Sequence, residues 1–192
     1  MADIEWYYFM AVKNKMISNP GSGQTIRFIQ TSRDTSGKLL EMESTYAPHS
    51  LEPVEHYHPL QEEEFTVEEG SISVRINGGV RILHQEDKLV IPANTVHSMW
   101  NHSDSISRVN WIVRPALNTE YLLETGMGLA ADGKVNAKGL PSILQTALLM
   151  NKYRQAFRLA KIPYMVQRIL FGLLSPFAML AGYRSVYQKY ID

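Results

Sequence analysis

Residues 56–70, HYHPLQEEEFTVEEG, place two histidines at i and i+2, a carboxylate five residues beyond the second, and a glycine seven further on. On a β-strand, residues i and i+2 point to the same face. His56 and His58 therefore aim two imidazoles at one point, and an acid on the next strand closes in from the side. Alternation chooses among the three consecutive acids at 62–64. Phe65 and Val67 share a parity that defines the apolar face; Glu63 shares it, whereas Glu62, Glu64, Thr66 and Glu68 have the other. A lone carboxylate turned into an apolar interior is costly unless a cation or a paired donor compensates it. Glu63 is thus the expected acidic ligand of a divalent metal.

Further along, residues 86–101 read EDKLVIPANTVHSMWN. Lys88 to Ile91 form a short apolar strand; Pro92, Ala93 and Asn94 supply turn chemistry, Asn being suited to a left-handed conformation. His97 on the following strand completes a set of three imidazoles and one carboxylate.

These two stretches resemble the two motifs of the cupin superfamily. His56, His58, Glu63 and Gly70 fall on the motif 1 positions, and Pro92, His97 and Asn101 on those of motif 2. Three positions depart from the family pattern. Glu86 stands where a glycine is usual, Asn94 replaces the turn glycine, and Ser50 occupies the place of the glycine that begins motif 1. None is a ligand position, so the departures bear on loop geometry more than on metal binding.

The resemblance covers roughly residues 25–115 and implies a mainly β fold: a cupin-type double-stranded β-helix (jelly-roll) barrel with a C-terminal α-helical extension. Short strands with turn signals, such as SISVRI and VRIL around the NGG at 77–79, point the same way. The expected organisation is an N-terminal arm at 1–24, a barrel at 25–116 and a helical extension at 117–192. The aromatic stretch MADIEWYYFM in the arm reads as a strand or arm packing on the barrel or a neighbouring subunit, without the basic residues of a secretory signal.

The expected cofactor is one divalent transition metal held by His56, His58, Glu63 and His97. Ligand type alone does not choose among Fe, Mn, Ni, Cu and Zn. In octahedral geometry four protein ligands leave two positions for substrate or dioxygen. His49, His84 and His102 match no ligand position and are expected on the surface or in loops. Glu52 and Glu55, before motif 1, read as solvated loop charges.

Parity also sketches a pocket: Met42, Ser44 and Tyr46 share one face of LLEMESTYAP and, if inward, line it with Phe65, Val67, Met99 and Trp111. Barrel interiors are normally filled by such side chains, so these residues are equally a core. Tyr46 is the sole candidate acid/base beyond the ligands. The leading expectation is a metal-dependent enzyme acting on a small organic molecule, an oxygenase in preference to an isomerase. The rival is a non-catalytic module that binds a small ligand or scaffolds a partner.

The net charge of zero conceals segregation. Residues 1–132 hold 10 Lys and Arg against 18 Asp and Glu, while residues 133–192 hold 9 basic residues against Asp192 alone. With no cysteine in the chain, thiolate sites and disulfides are excluded, in keeping with a reducing, cytoplasmic setting. In the tail, Thr119 is expected to cap a helix through Ala130, Pro141 to open one to about Ala160, and Pro163 another. Ser175 with Pro176 reads as a further N-cap and first-turn proline. The 15 uncharged residues between Arg168 and Arg184 fall short of the ~20 that a spanning helix needs. Two readings of this tail remain: packing on the barrel or across a homodimer with its basic residues facing the acidic part, or contact with an anionic membrane surface. Clustered polar base-readers are missing, so nucleic acid is not an expected partner.

Overall fold

The computed structural model describes residues 11–191; the aromatic stretch at the start of the N-terminal arm lies outside the described residues. Among the described residues, eleven strands form two antiparallel sheets, followed by helices. In chain order these are β1 Met16–Asn19, β2 Gln24–Gln30, β3 Leu40–Tyr46, β4 His56–Tyr57, β5 Glu62–Glu69, β6 Ser71–Ile76, β7 Gly79–His84, β8 Lys88–Ile91, β9 His97–Trp100 and β10 Ser107–Arg114. Then come α1 Thr119–Ala131, α2 Ile143–Lys152, β11 Arg158–Leu159, α3 Tyr164–Leu180 and α4 Gln188–Ile191. One sheet runs β1-β2-β3-β10-β5-β8 and the other β11-β4-β9-β6-β7. The first strand, β1, falls within the stretch expected as an arm; it pairs with β2 because Met16 to Asn19 find a register against Arg27 to Gln24.

Alternation positions the strands as the sequence implies. Along β3, Leu40, Met42, Ser44 and Tyr46 are buried while Glu41, Glu43 and Thr45 face out. On β5, Glu63, Phe65 and Val67 turn inward and Glu62 and Glu68 outward. Each apolar side chain so buried contributes roughly 1.5–3 kcal/mol, enough that a one-residue slip in register would be prohibitive. Tyr46, Phe65, Val67, Ile72, Val74, Leu89, Met99 and Val109 make one core cluster. A second joins Ile26, Phe28, Leu40, Met42 and Val113 to Met127 of α1.

Loop geometry is demanding where the motifs depart from glycine. Gly70, with φ of 74°, admits no side chain, since a Cβ there would meet the Ile106 carbonyl oxygen at 2.6 Å. Glu86 and Asn94 occupy the same left-handed region, with φ of 74° and 64°. Both turns survive with non-glycine residues, Glu86 through its N–H donating to Val67 O and Asn94 through its N–H donating to His58 O.

The tail differs from expectation in three places. First, α1 begins at Thr119, but no side chain caps it; the Thr119 hydroxyl accepts from the buried Gln61 amide (2.8 Å), which also donates to Pro115 O and Ala116 O. Second, the helix after Pro141 ends at Lys152 rather than near Ala160. It is capped by Ser142, whose hydroxyl accepts from Gln145 N. Tertiary pairing ends it: Arg158 and Leu159 join β4 opposite Tyr57 and His56, and Ala160 N donates to Glu55 O. Third, Ser175 and Pro176 do not start a helix, because α3 runs through them. Ser175 is buried and donates to Phe171 O (2.6 Å) one turn back while accepting from Asn151 Nδ2 (3.1 Å).

The extension packs on the barrel through α1 and β11, and α3 packs on α2 around Leu149, Met150, Tyr153 and Phe171. Few of its basic residues pair with the acidic part: among the described residues Lys161 reaches Glu55 at 3.7 Å, and Lys134 and Lys189 meet Asp132 at the end of α1. No helix among the described residues is long and apolar enough to cross a membrane.

Candidate metal centre

Antiparallel pairing of β4 with β9 sets His56 directly opposite His97. His58 lies two residues past His56, and Glu63 arrives on β5. The three imidazoles converge, with ring centroids 5.1 Å apart for His56 and His58, 4.5 Å for His56 and His97 and 5.3 Å for His58 and His97. One ligand atom from each lies within 4.8 Å of the others. Among the described residues this is the cluster of histidines and acids arranged to hold a metal ion.

Backbone carbonyls fix which nitrogen is offered. His56 Nδ1 lies 2.9 Å from Val54 O, His58 Nδ1 2.5 Å from Ala156 O and His97 Nδ1 3.0 Å from Thr95 O. A carbonyl oxygen only accepts, so each Nδ1 carries the proton and each Nε2 presents a lone pair, the arrangement that outer partners impose on metal-binding histidines.

Glu63 completes the set of converging lone pairs. Its Oε1 accepts from the Trp111 indole (3.0 Å), while Oε2 lies 2.8 Å from His97 Nε2 and 3.3 Å from His58 Nε2. Both His58 Nε2 and Glu63 Oε2 are fully buried without a hydrogen-bond partner. Orphaned acceptors this close repel one another unless a cation lies among them, and each buried unsatisfied group costs about 1–3 kcal/mol. The residues present therefore fit a divalent metal bound by nitrogen and oxygen.

Electrostatics agree for Glu63 and His56. Burial would raise the Glu63 carboxyl, yet the surrounding imidazoles of His58, His97 and His56 outweigh it and hold it down to about 2. Burial and the neighbouring imidazoles push His56 down to about 3, so it stays neutral and able to ligate. His97 moves upward: burial opposes the shift, but contact with the Glu63 carboxylate prevails.

The centre opens on a cavity of about 280 Å³. Tyr46, Phe65, Met99 and Trp111 line it from the barrel, and Leu122, Leu123, Met127, Leu149, Met150 and Phe157 from the extension. Met42, Ser44 and Val67 are not among the lining residues: Met42 and Val67 are buried in the two core clusters, and the Ser44 hydroxyl accepts from Gln24 Nε2 (2.9 Å). Tyr46 faces the cavity with a phenol that burial pushes up to about 12, so it stays protonated at neutral pH and serves as a hydrogen-bonding group, not a base.

Two contributors lay beyond the sequence reading. Ala156 O orients His58, and Phe157 stacks on His56 (4.5 Å between centroids, 18° between planes). A backbone carbonyl leaves no trace in residue type, and Phe157 looks like any aromatic of a basic segment. Glu52, read as a solvated charge, instead accepts both Nε (2.7 Å) and Nη2 (3.1 Å) of Arg75 and the Ser98 hydroxyl (2.6 Å), bracing β6 against β9. His49, His84 and His102 are exposed, as expected.

A two-sheet antiparallel barrel with a histidine cluster in its mouth is the architecture of a metal-binding β-barrel domain. Residues 42–113 match the family model described as the cupin domain, and this chain carries a cupin domain over those residues. Comparison with curated proteins gave no match. Among solved structures, the chain is similar to a sugar phosphate isomerase of a cupin superfamily from Silicibacter pomeroyi, at 18% identity over 50% of this chain and 62% of that one, with a TM-score of 0.43. That match thus spans less than two thirds of the Silicibacter chain. It is also similar to KdgF from Halomonas sp. (18% identity, 56% of this chain, 92% of that one, TM-score 0.46). The polyketide cyclase RemF from Streptomyces resistomycificus is similar at 21% identity (55% of this chain, 78% of that one, TM-score 0.47).

Proposed function

We propose that this protein is a metal-dependent cupin enzyme acting on a small, largely apolar organic molecule, an oxygenase in preference to an isomerase. The observation that carries the reading is the convergence of three Nδ1-tethered imidazoles and the orphaned Glu63 Oε2 at the floor of an apolar cavity. His56, His58 and His97 would hold the metal, with Glu63 as fourth ligand. When bound, the metal supplies Lewis-acid polarisation of a carbonyl or enol oxygen and a place for dioxygen.

The protein's own residues do the rest. Leu122, Leu123, Met127 and Phe157 bind and orient an apolar substrate and exclude water. Trp111 holds Glu63 in one orientation. The protonated Tyr46 donates to a substrate oxygen. Among the cavity-lining residues the titratable groups are the three histidines, Glu63 and Tyr46. Such a set suits chemistry carried by the metal better than an isomerisation, which needs a separate proton carrier.

That same shortage of a neutral-pH acid or base favours, as a second reading, a non-catalytic cupin that holds a small apolar ligand. Elemental analysis of natively purified protein, followed by oxygen uptake of the iron-loaded form across diketones, flavonols and aromatic diols, separates the two. Oxygen consumption with a defined substrate supports the oxygenase; tight binding of the same compounds without turnover under any metal supports the binding module.

A further inference from the structure

Among the described residues, one face of α3 is uncovered. Val166, Ile169, Leu170, Leu173, Phe177 and Leu180 are exposed there, with Leu173 at 65%, Phe177 at 63% and Leu180 at 85%. The spacing 166, 170, 173, 177, 180 lays a stripe along one side of the helix. The buried stripe, Gln167, Phe171, Ser175 and Ala178, lies on another side and packs toward α2. An apolar stripe running the length of a 17-residue helix (roughly 25 Å) is far more than the scattered exposed side chains of an ordinary surface.

Charge decides what covers it. No Asp or Glu occurs between residues 133 and 191. At the N-terminal end of α3, Arg154, Arg158 and Arg168 border one shallow recess with Tyr164 and Phe171. Arg158 lies over the Tyr164 ring at 3.5 Å and donates to Arg154 O, and Arg154 donates to Asn151 O. Among the described residues, the ion pairs made by residues 133–191 are those of Lys134 and Lys189 with Asp132 and of Lys161 with Glu55, and the three arginines form none. Guanidinium groups without carboxylates, at the edge where the exposed face of α3 gives way to the side packed on α2, suit phosphate oxygens above an acyl layer.

A second copy of this chain fits poorly. A two-fold interface presents the same patch from both sides. Antiparallel α3 helices would set Arg168 of one copy near Arg184 of the other, and parallel ones would set Arg168 against Arg168, with no acid in the tail between them to compensate.

We propose that the exposed face of α3 docks the protein on an anionic phospholipid surface, the apolar stripe entering the headgroup–acyl boundary and Arg154, Arg158 and Arg168 meeting lipid phosphates. Being 17 residues long and flanked by arginines, α3 lies along the surface rather than across it.

Flotation of the full-length protein with vesicles tests this. Expected are binding to vesicles of phosphatidylcholine with phosphatidylserine at low salt, weakening as salt rises, and little binding to phosphatidylcholine alone. Leu173→Glu combined with Phe177→Glu should abolish binding, and Arg154→Gln and Arg168→Gln should each weaken it about fivefold, the equivalent of ~1 kcal/mol per charge. These side chains are exposed, so melting temperature and metal content should stay at wild-type values in every variant. The proposal is overturned if the protein fails to float with anionic vesicles, if it binds phosphatidylcholine alone equally well, or if the double glutamate variant still binds. It is also overturned if wild-type protein is a dimer that the double variant dissociates without any vesicle binding, which would assign the stripe to a second copy.

Discussion

His58 Nδ1 donates to the carbonyl oxygen of Ala156, 98 residues away and in the helical extension, at 2.5 Å. The next residue, Phe157, lies against His56 with nearly parallel rings. The extension therefore forms part of the wall around the imidazoles and fixes the tautomer of one of them. Phe157→Ala should remove the stacking surface and let water reach His56. Loss of such outer support costs roughly 10–100-fold in metal affinity. Competition with a chelator measures it, and an unchanged affinity would show that the extension merely covers the barrel.

The carboxylates of β5 should behave unequally. Glu63→Gln and His58→Ala are expected to lower metal occupancy sharply, whereas Glu62→Gln and Glu64→Gln leave it unchanged. Glu63 is 1% exposed and faces the imidazoles; Glu64 instead pairs with Arg114 at 2.7 Å. Trp111→Phe, which removes the donor to Glu63 Oε1, should lower affinity by a smaller factor, about tenfold. Metal content after dialysis checks all five, and equal losses at the three glutamates would refute the inward placement of Glu63.

Stability should carry a signature of α1. Burial pushes Glu120 and Glu124 each up to about 7 from the ordinary carboxylate value near 4.5, even with Lys15 at 2.7 Å from Glu124. With folded values above unfolded ones, the native state holds protons that the unfolded chain releases. Their stabilisation is complete below about 4.5 and is lost as pH rises through about 7, by up to roughly 3 kcal/mol each. His56, held near 3, acts in the opposite direction below 6.5. The difference between wild type and Glu120→Gln in urea unfolding at pH 5 and pH 8 therefore isolates the effect: the variant should lose less stability on raising the pH.

Glu86 stores backbone strain. Its φ of 74° costs a residue with a Cβ about 1–2 kcal/mol. Glu86→Gly keeps the N–H to Val67 O and should raise the melting temperature by a few degrees, about 2–4 °C per kcal/mol for a chain of this size. Asn94→Gly should gain less, since Asn tolerates this region. A lowered melting temperature for Glu86→Gly would mean that its side chain supports the turn.

Period-two patterning was enough to place the barrel strands and to turn Glu63 inward, because a strand that misplaces its apolar face forfeits the whole face at once. Spacing within 56–70 and around His97 likewise named the three imidazoles. Parity grouped Met42 and Ser44 with Tyr46 along β3 and Val67 with Phe65 along β5, but parity assigns a face and not a depth along it. Depth is set by where the second core cluster and the extension close the interior, and those three residues lie outside the cavity lining.

The tail was legible as helical, with its starts near Thr119, Pro141 and Pro163 signalled by residue type, although the Ser142 cap was not among the signals read. Its interruptions were not. Residues 153–160 leave the helix because hydrogen bonds to Glu55, His58 and β4 outcompete a local ladder, and α3 continues past Pro176 because Ser175 and Asn151 stabilise it from the side. The sequence by itself determined which side chains could ligate a metal, since periodicity and residue type are local properties. Only the tertiary structure decided what orients them and what shapes the cavity, because a backbone carbonyl from Ala156 and a ring from Phe157 arrive there through long-range packing alone.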